Sequence, residues 1–96
     1  MARVLLAQTA LDDRHELVAS HALPPDAPRR VARALALLER HPDAGLALGA
    51  RWAGYRAWRG PWPWMLHVYE HDAATETVVV VTVQDSRRST APDPAG

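Results

Sequence analysis

Residues 64–83, WMLHVYEHDAATETVVVVTV, join two different kinds of strand through a short polar turn. From Trp64 to His71 the side chains alternate. Trp64, Leu66, Val68 and Glu70 share one face, and Met65, His67, Tyr69 and His71 share the other. A period of two marks an extended strand. TVVVVTV at 77–83 does not alternate and is β-branched throughout, the pattern of a central strand covered on both faces. EHDAATE (70–76) supplies the turn between them. Working upstream, Trp52–Arg59 also alternates, with Trp52, Gly54, Arg56 and Trp58 opposite Ala53, Tyr55, Ala57 and Arg59. RGPWPW then links this strand to the next, so the second half of the chain predicts a three-strand antiparallel meander.

The first half changes period. ARVLLAQ (2–8) is a short strand rich in Val and Leu. Thr9 with Asp12 three positions later predicts a helix start, an acidic variant of the capping box. That helix runs to about His21 and offers Leu11, Leu17 and Val18 to the core. LPPDAP (23–28) interrupts it, because two prolines cannot continue a helix. A second helix follows, capped by Asp26, with Pro28 in its first turn where the missing N–H is harmless. Val31, Ala34, Leu35 and Leu38 form its buried stripe, with Arg29, Arg33 and Arg40 on the other side. HPDAG (41–45) ends it. The predicted fold is α+β: a strand, a helical hairpin, then the meander, as a two-layer sandwich with one sheet face left open. One domain spans residues 1–88, and STAPDPAG, closing the chain after it, is expected to be a mobile tail over 89–96.

Ninety-six residues, 48% of them hydrophobic, suffice for one small core. With no Cys, disulfides and thiolate metal sites are excluded. Net charge is zero, yet every one of the 11 basic residues is Arg. Strong non-specific nucleic-acid binding needs a net basic surface, so any such contact must come from a local arginine cluster. MARVLLAQTALDD is too short in its apolar run to be a signal peptide or membrane span, and a cytoplasmic location is expected.

His67 and His71 invite a metal reading, but on a strand their spacing is about 13 Å, too far to share one ion. No metal and no cofactor is expected. His15, His21 and His41, at helix positions or ends, are expected on the surface. Arg56 and Arg59 lie near one strand end, and Arg87 and Arg88 follow the central strand. If those ends adjoin, their guanidinium groups form a phosphate site, since Arg holds phosphate through a planar bidentate fork. Trp62, between Pro61 and Pro63, is the indole expected to be most exposed and available for stacking on a base.

The order of elements, together with ALLERHPDAG, YRAW, GPWPWMLHVYE and VVVVTVQDSRR, resembles the RelE/ParE superfamily of bacterial type II toxins over residues 2–88. The resemblance implies a cognate antitoxin as partner and one of two targets. RelE-like members cut messenger RNA on the ribosome without a metal, and ParE-like members inhibit DNA gyrase without catalysis. By this resemblance Arg56 and Arg87 are catalytic candidates that stabilise charge at the phosphate. Trp58 stands where a second basic residue is expected, a loss that Arg59 is placed to offset. Counted from Gly60, Trp62 takes the aromatic place of the turn and Pro63 the place of an arginine. Arg59, Trp62 and Arg88 are the substrate-binding candidates. His67, or else His71, is the candidate base for the 2′-hydroxyl, because a free histidine titrates near pH 6.5. Arg56 and Arg87 favour the endonuclease over the gyrase inhibitor; a degenerate, harmless member that binds only its antitoxin is the third alternative.

Overall fold

The computed structural model describes residues 1–88 and Ala91. The tail expected over 89–96 lies outside the described residues, Ala91 apart. Chain order is β1 (Arg3–Leu6), α1 (Gln8–Ser20), α2 (Ala27–Arg40), β2 (Leu46–Ala47), a 3-10 turn at Ala50–Trp52, β3 (Arg56–Arg59), β4 (Met65–Asp72) and β5 (Thr77–Asp85). Among the described residues the strands make one five-stranded sheet, ordered β1-β5-β4-β3-β2. β1 runs parallel to β5 and every other pairing is antiparallel. The α+β sandwich and its meander are as the sequence predicts, with one addition: β2, a two-residue edge strand ahead of the meander.

α2 behaves as its pattern requires. Val31, Leu35 and Leu38 are buried against Met65, Tyr69, Val78, Val80 and Val83 of the sheet. Its start differs from expectation, because Asp26 occupies the cap position without a side-chain hydrogen bond; only its carbonyl engages, accepting the Arg30 N–H. α1 is capped at Ala7, two residues before the predicted Thr9, and no capping box forms. Asp12 accepts instead from the Gln8 amide, 2.9 Å away. The buried contacts of α1 come from Ala10 and Leu17, and Leu11 and Val18 are only half-buried. Asp13 and Arg14 fall on that same stripe at i+3 and i+4, which is unusual for an inward face. The sheet explains Asp13. β1 ends opposite Val80, leaving the outer edge of β5 open beyond it. Asp13 closes that edge by accepting the Val83 N–H at 3.2 Å and the Thr82 hydroxyl at 2.6 Å.

The strand predicted over Trp52–Arg59 is shortened to Arg56–Arg59. Ala50 (φ 54°) and Gly54 (φ 91°) turn the backbone out of an extended path before it. At the other end of β3, Gly60 adopts φ 137°, which only a residue without Cβ takes up freely. The Gly60 N–H then donates to the Met65 carbonyl, closing the turn into β4.

Register decides the faces. Trp58 pairs with His67 and Arg56 with Tyr69, and the Trp58 indole donates to the Ala34 carbonyl of α2 at 2.9 Å. Arg56, Trp58, Met65, His67 and Tyr69 therefore lie on the helix side. Ala57, Arg59, Leu66 and Val68 lie on the opposite side. That second face is not the open floor expected, since Ala57, Leu66 and Val68 are all buried. Two long side chains flank them. Arg59, paired with Leu66, reaches across to Ser86 beyond β5. Gln84, also paired with Leu66, folds its amide onto Thr82.

Candidate functional site

Three chain segments meet at the end of the sheet formed by the last residues of β3, the Pro-Trp turn and the residues after β5. Arg59 is carried out by β3 and is exposed. Its Nη1 donates to the Pro63 carbonyl at 2.6 Å and the Ser86 hydroxyl at 3.3 Å. Among the described residues no carboxylate pairs with it, and its Nε and Nη2 are unspent. Arg87 follows Ser86 immediately, and its side chain is 63% exposed. Arg88, beyond it, is exposed too. A solvent-facing basic pole results from Arg59, Arg87 and Arg88. Beside Arg59, where β2 has ended, Leu46, Ala57 and Leu66 line an apolar hollow of about 190 Å³.

Asp85 organises this pole from below. Its carboxylate is 9% exposed and holds Arg87 through two parallel bonds, Nε to Oδ1 at 2.9 Å and Nη2 to Oδ2 at 2.8 Å. The Arg87 main-chain N–H adds a third bond to Oδ1 at 3.0 Å. This pairing, more than the nearby main chain, holds the Asp85 carboxyl well below the usual carboxylate range and pushes the Arg87 guanidinium up. His21, at the end of α1, meets Asp85 Oδ2 through Nε2 at 3.2 Å. Its ring stacks on Trp64 with centroids 4.0 Å apart. Arg87 lies over another part of Trp64 at 5.5 Å. Trp62 stacks on Trp64 at 6.4 Å and carries Arg30 over its ring at 4.6 Å. Trp62, between the prolines, and Trp64, after them, thus act as spacers that fix the end of α1 and the start of α2 against the end of β5. Trp62 is half-buried rather than projecting.

Arg56 goes elsewhere. It stands an odd number of residues from Arg59, so it points to the helix side. There it donates to the Gly45 carbonyl at 3.0 Å and the Asp43 carbonyl at 3.3 Å, with the Asp43 carboxylate 3.6 Å away. His71 meets the same carboxylate at 2.9 Å. Tyr69 completes this end. Its buried hydroxyl accepts the Gly45 N–H at 2.9 Å and donates to the Pro42 carbonyl at 2.7 Å. Gly45 has no alternative residue, since a Cβ there would meet the Tyr69 oxygen at 2.6 Å.

His67 is fully buried, and neither ring nitrogen has a hydrogen-bond partner. Burial pushes its pKa down to about 4; the main chain of Trp58 opposes the shift and the charge of Arg14 adds to it. The structure therefore brings Arg59 to Ser86 from the face away from the helices and Arg87 to Asp85 on the helix side, with Arg59 on the face opposite Arg56 and His67. Asp85 and His21 were missed as site residues. The spacing of Asp85 and Arg87, two apart at a strand end, was a visible signal; nothing local tied His21 to them. Among the described residues no three His, Asp or Glu side chains are placed to hold a metal ion, and no helix is long and apolar enough to cross a membrane.

Among solved structures the chain is similar to the toxin–antitoxin complex RelBE2 from Mycobacterium tuberculosis. The TM-score is 0.68 and the identity 28%, over 88% of this chain and 96% of that one. No protein-family model and no curated protein matches the sequence.

Proposed function

We propose that this chain, similar over 88% of its length to the toxin–antitoxin complex RelBE2, is the toxin of a toxin–antitoxin pair and that its basic pole cleaves ribosome-bound messenger RNA. The observation that carries this reading is the placement of Arg59 and Arg87 on either side of Ser86, each with guanidinium N–H groups left over for an anion. The free Nε and Nη2 of Arg59 and the free Nη1 of Arg87 suit phosphodiester oxygens, whose negative charge grows as the 2′-hydroxyl attacks. Arg88 adds positive charge, and the apolar hollow beside Arg59 offers shelter to a base. Arg56 and His67 have no direct part in this version. The first is spent on protein acceptors and the second is sealed from water. The solved neighbour is a toxin–antitoxin complex, and an antitoxin covering this chain is its proposed protein partner.

A second reading has its own support. Pro63 occupies the turn position where the resemblance called for an arginine, and its carbonyl takes a bond from Arg59. With Arg56 also withdrawn, a non-catalytic gyrase inhibitor accommodates the same surface. Mapping of 5′ ends in a translating bacterial lysate separates the two. New ends within codons, dependent on ribosomes and absent with Arg87→Ala, are the expected result. Intact messages, together with inhibited supercoiling by purified gyrase, would replace the endonuclease with the second reading.

A further inference from the structure

We infer that His21 and Asp85 form a proton-accepting dyad beside Arg87, with His21 the group that takes the proton from the attacking 2′-hydroxyl. The inference rests on the RNA-cleaving reading above and supplies the base which that reading lacks. His21 Nε2 and Arg87 Nη2 both meet Asp85 Oδ2, at 3.2 and 2.8 Å, so imidazole and guanidinium are neighbours on one carboxylate. The 3.2 Å ion-pair contact sets Nε2 against a buried carboxylate that favours an N–H there, leaving the Nδ1 lone pair to act as base. Among the described residues Nδ1 has no hydrogen-bond partner. It is also absent from the buried polar atoms that lack one, so it reaches solvent; the His21 side chain is 25% exposed.

The ring cannot swing away. Trp64 stacks on it at 4.0 Å, and the main-chain N–H of His21 is tied to the Leu17 carbonyl at the end of α1. Such fixing is what a general base needs, since proton transfer requires a held geometry. Arg87 spends Nε and Nη2 on Asp85 and keeps Nη1 for the substrate. Among the described residues, Asp85 meets His21 directly, Arg87 shares that carboxylate, and Arg30 lies beyond Trp64 over the Trp62 ring.

In the step itself Nδ1 accepts the 2′-hydroxyl proton as the 2′-oxygen bonds to phosphorus. The bond from phosphorus to the 5′-oxygen breaks, and that oxygen takes a proton from water. The products are a 2′,3′-cyclic phosphate and a 5′-hydroxyl end, and the imidazolium returns its proton to solvent. Arg87 Nη1 holds a phosphate oxygen throughout.

The test compares the full chain with His21→Phe, Asp85→Asn and Arg87→Ala in ribosome-dependent cleavage between pH 5.5 and 8.5. Phe keeps a ring on Trp64 and removes Nδ1. His21→Phe is expected to slow cleavage roughly 10²- to 10³-fold and to abolish the rise of rate with pH expected of the unaltered chain, with new ends carrying 5′-hydroxyls. Should His21→Phe melt early, His21→Gln, which keeps a polar side chain beside Asp85 but no basic nitrogen, is read the same way. Cleavage at the full rate in the histidine variants, or a slower rate with an unchanged pH profile, overturns the dyad while Arg87→Ala still tests the site. No cleavage by the unaltered chain overturns the reading and the dyad together.

Discussion

The two ends of the sheet use the same side chain in opposite ways. At the end built from the α2–β2 connection, Arg56 is enclosed by the Gly45 carbonyl, the Asp43 carbonyl and the Asp43 carboxylate. Its charge is spent on holding a loop. At the other end, Arg59 is bound only by a carbonyl and a hydroxyl, and Arg87 by one carboxylate against which it lies exposed. Arg59 offers its charge to solvent, and Arg87 offers its remaining Nη1 beside a paired carboxylate. The difference comes from strand parity and from which loop has docked, not from the chemistry of arginine. A guanidinium surrounded by protein acceptors is a structural cation, and one with unspent donors is a binding group.

The sharpest way to break this comparison is to exchange alanine for each arginine in turn. Arg59→Ala is expected to reduce RNA cleavage about 100-fold, the scale of losing one charge-stabilising donor, with an unchanged melting temperature. Arg56→Ala is expected to leave the rate within a few-fold. Equal losses at both positions would show that the two ends are not functionally distinct.

The core between the two ends yields the next effect, through pH. The unfolded chain protonates His67 near pH 6.5 and the folded chain only near 4. Stability is therefore complete above pH 6.5 and falls as pH drops toward 4, where the loss levels off. The total is about 3 kcal/mol, measurable as a falling urea midpoint, and His67→Leu should flatten it across that window. Asp85, held low by Arg87, contributes stability above the ordinary carboxylate range that is lost only at more acidic pH. A profile for the intact chain that stays flat between pH 6.5 and 4.5 would contradict the sealed, neutral imidazole.

Smaller effects probe the structural end alone. Tyr69→Phe strands the Gly45 N–H and the Pro42 carbonyl, for an expected cost of about 2 kcal/mol in denaturant unfolding. Arg56→Ala should cost about 1 kcal/mol by the same measurement, because its bonds are partly wet. If Tyr69→Phe lowered cleavage in proportion to Arg59→Ala without changing stability, the division between a structural and a binding end would fail.

Much of the fold was legible because its signals are local. Alternation in Met65–Asp72, the unbroken β-branched run in Thr77–Asp85 and the stripe Val31, Leu35, Leu38 each state which side of an element is buried. Parity alone also places Arg56 and Arg59 on opposite faces. β2 was not legible, since two residues carry no period and become a strand only by pairing with β3. Nor was the role of Asp13, whose inward position makes sense only beside the edge of β5 that β1 leaves open.

The candidate site divides along the same line. Arginine at 59, 87 and 88, and tryptophan at 62 between prolines and at 64 after them, were determined by the sequence itself, as were the strand and helix periods. Tertiary structure alone decided that His67 is sealed in the interior, that Arg56 is consumed by a loop, and that His21, 64 residues before Asp85, stands 3.2 Å from its carboxylate. Periodicity tells a side chain which way to face, because it follows from bonded geometry. What the side chain meets there depends on the register and docking of distant segments, which no local pattern contains.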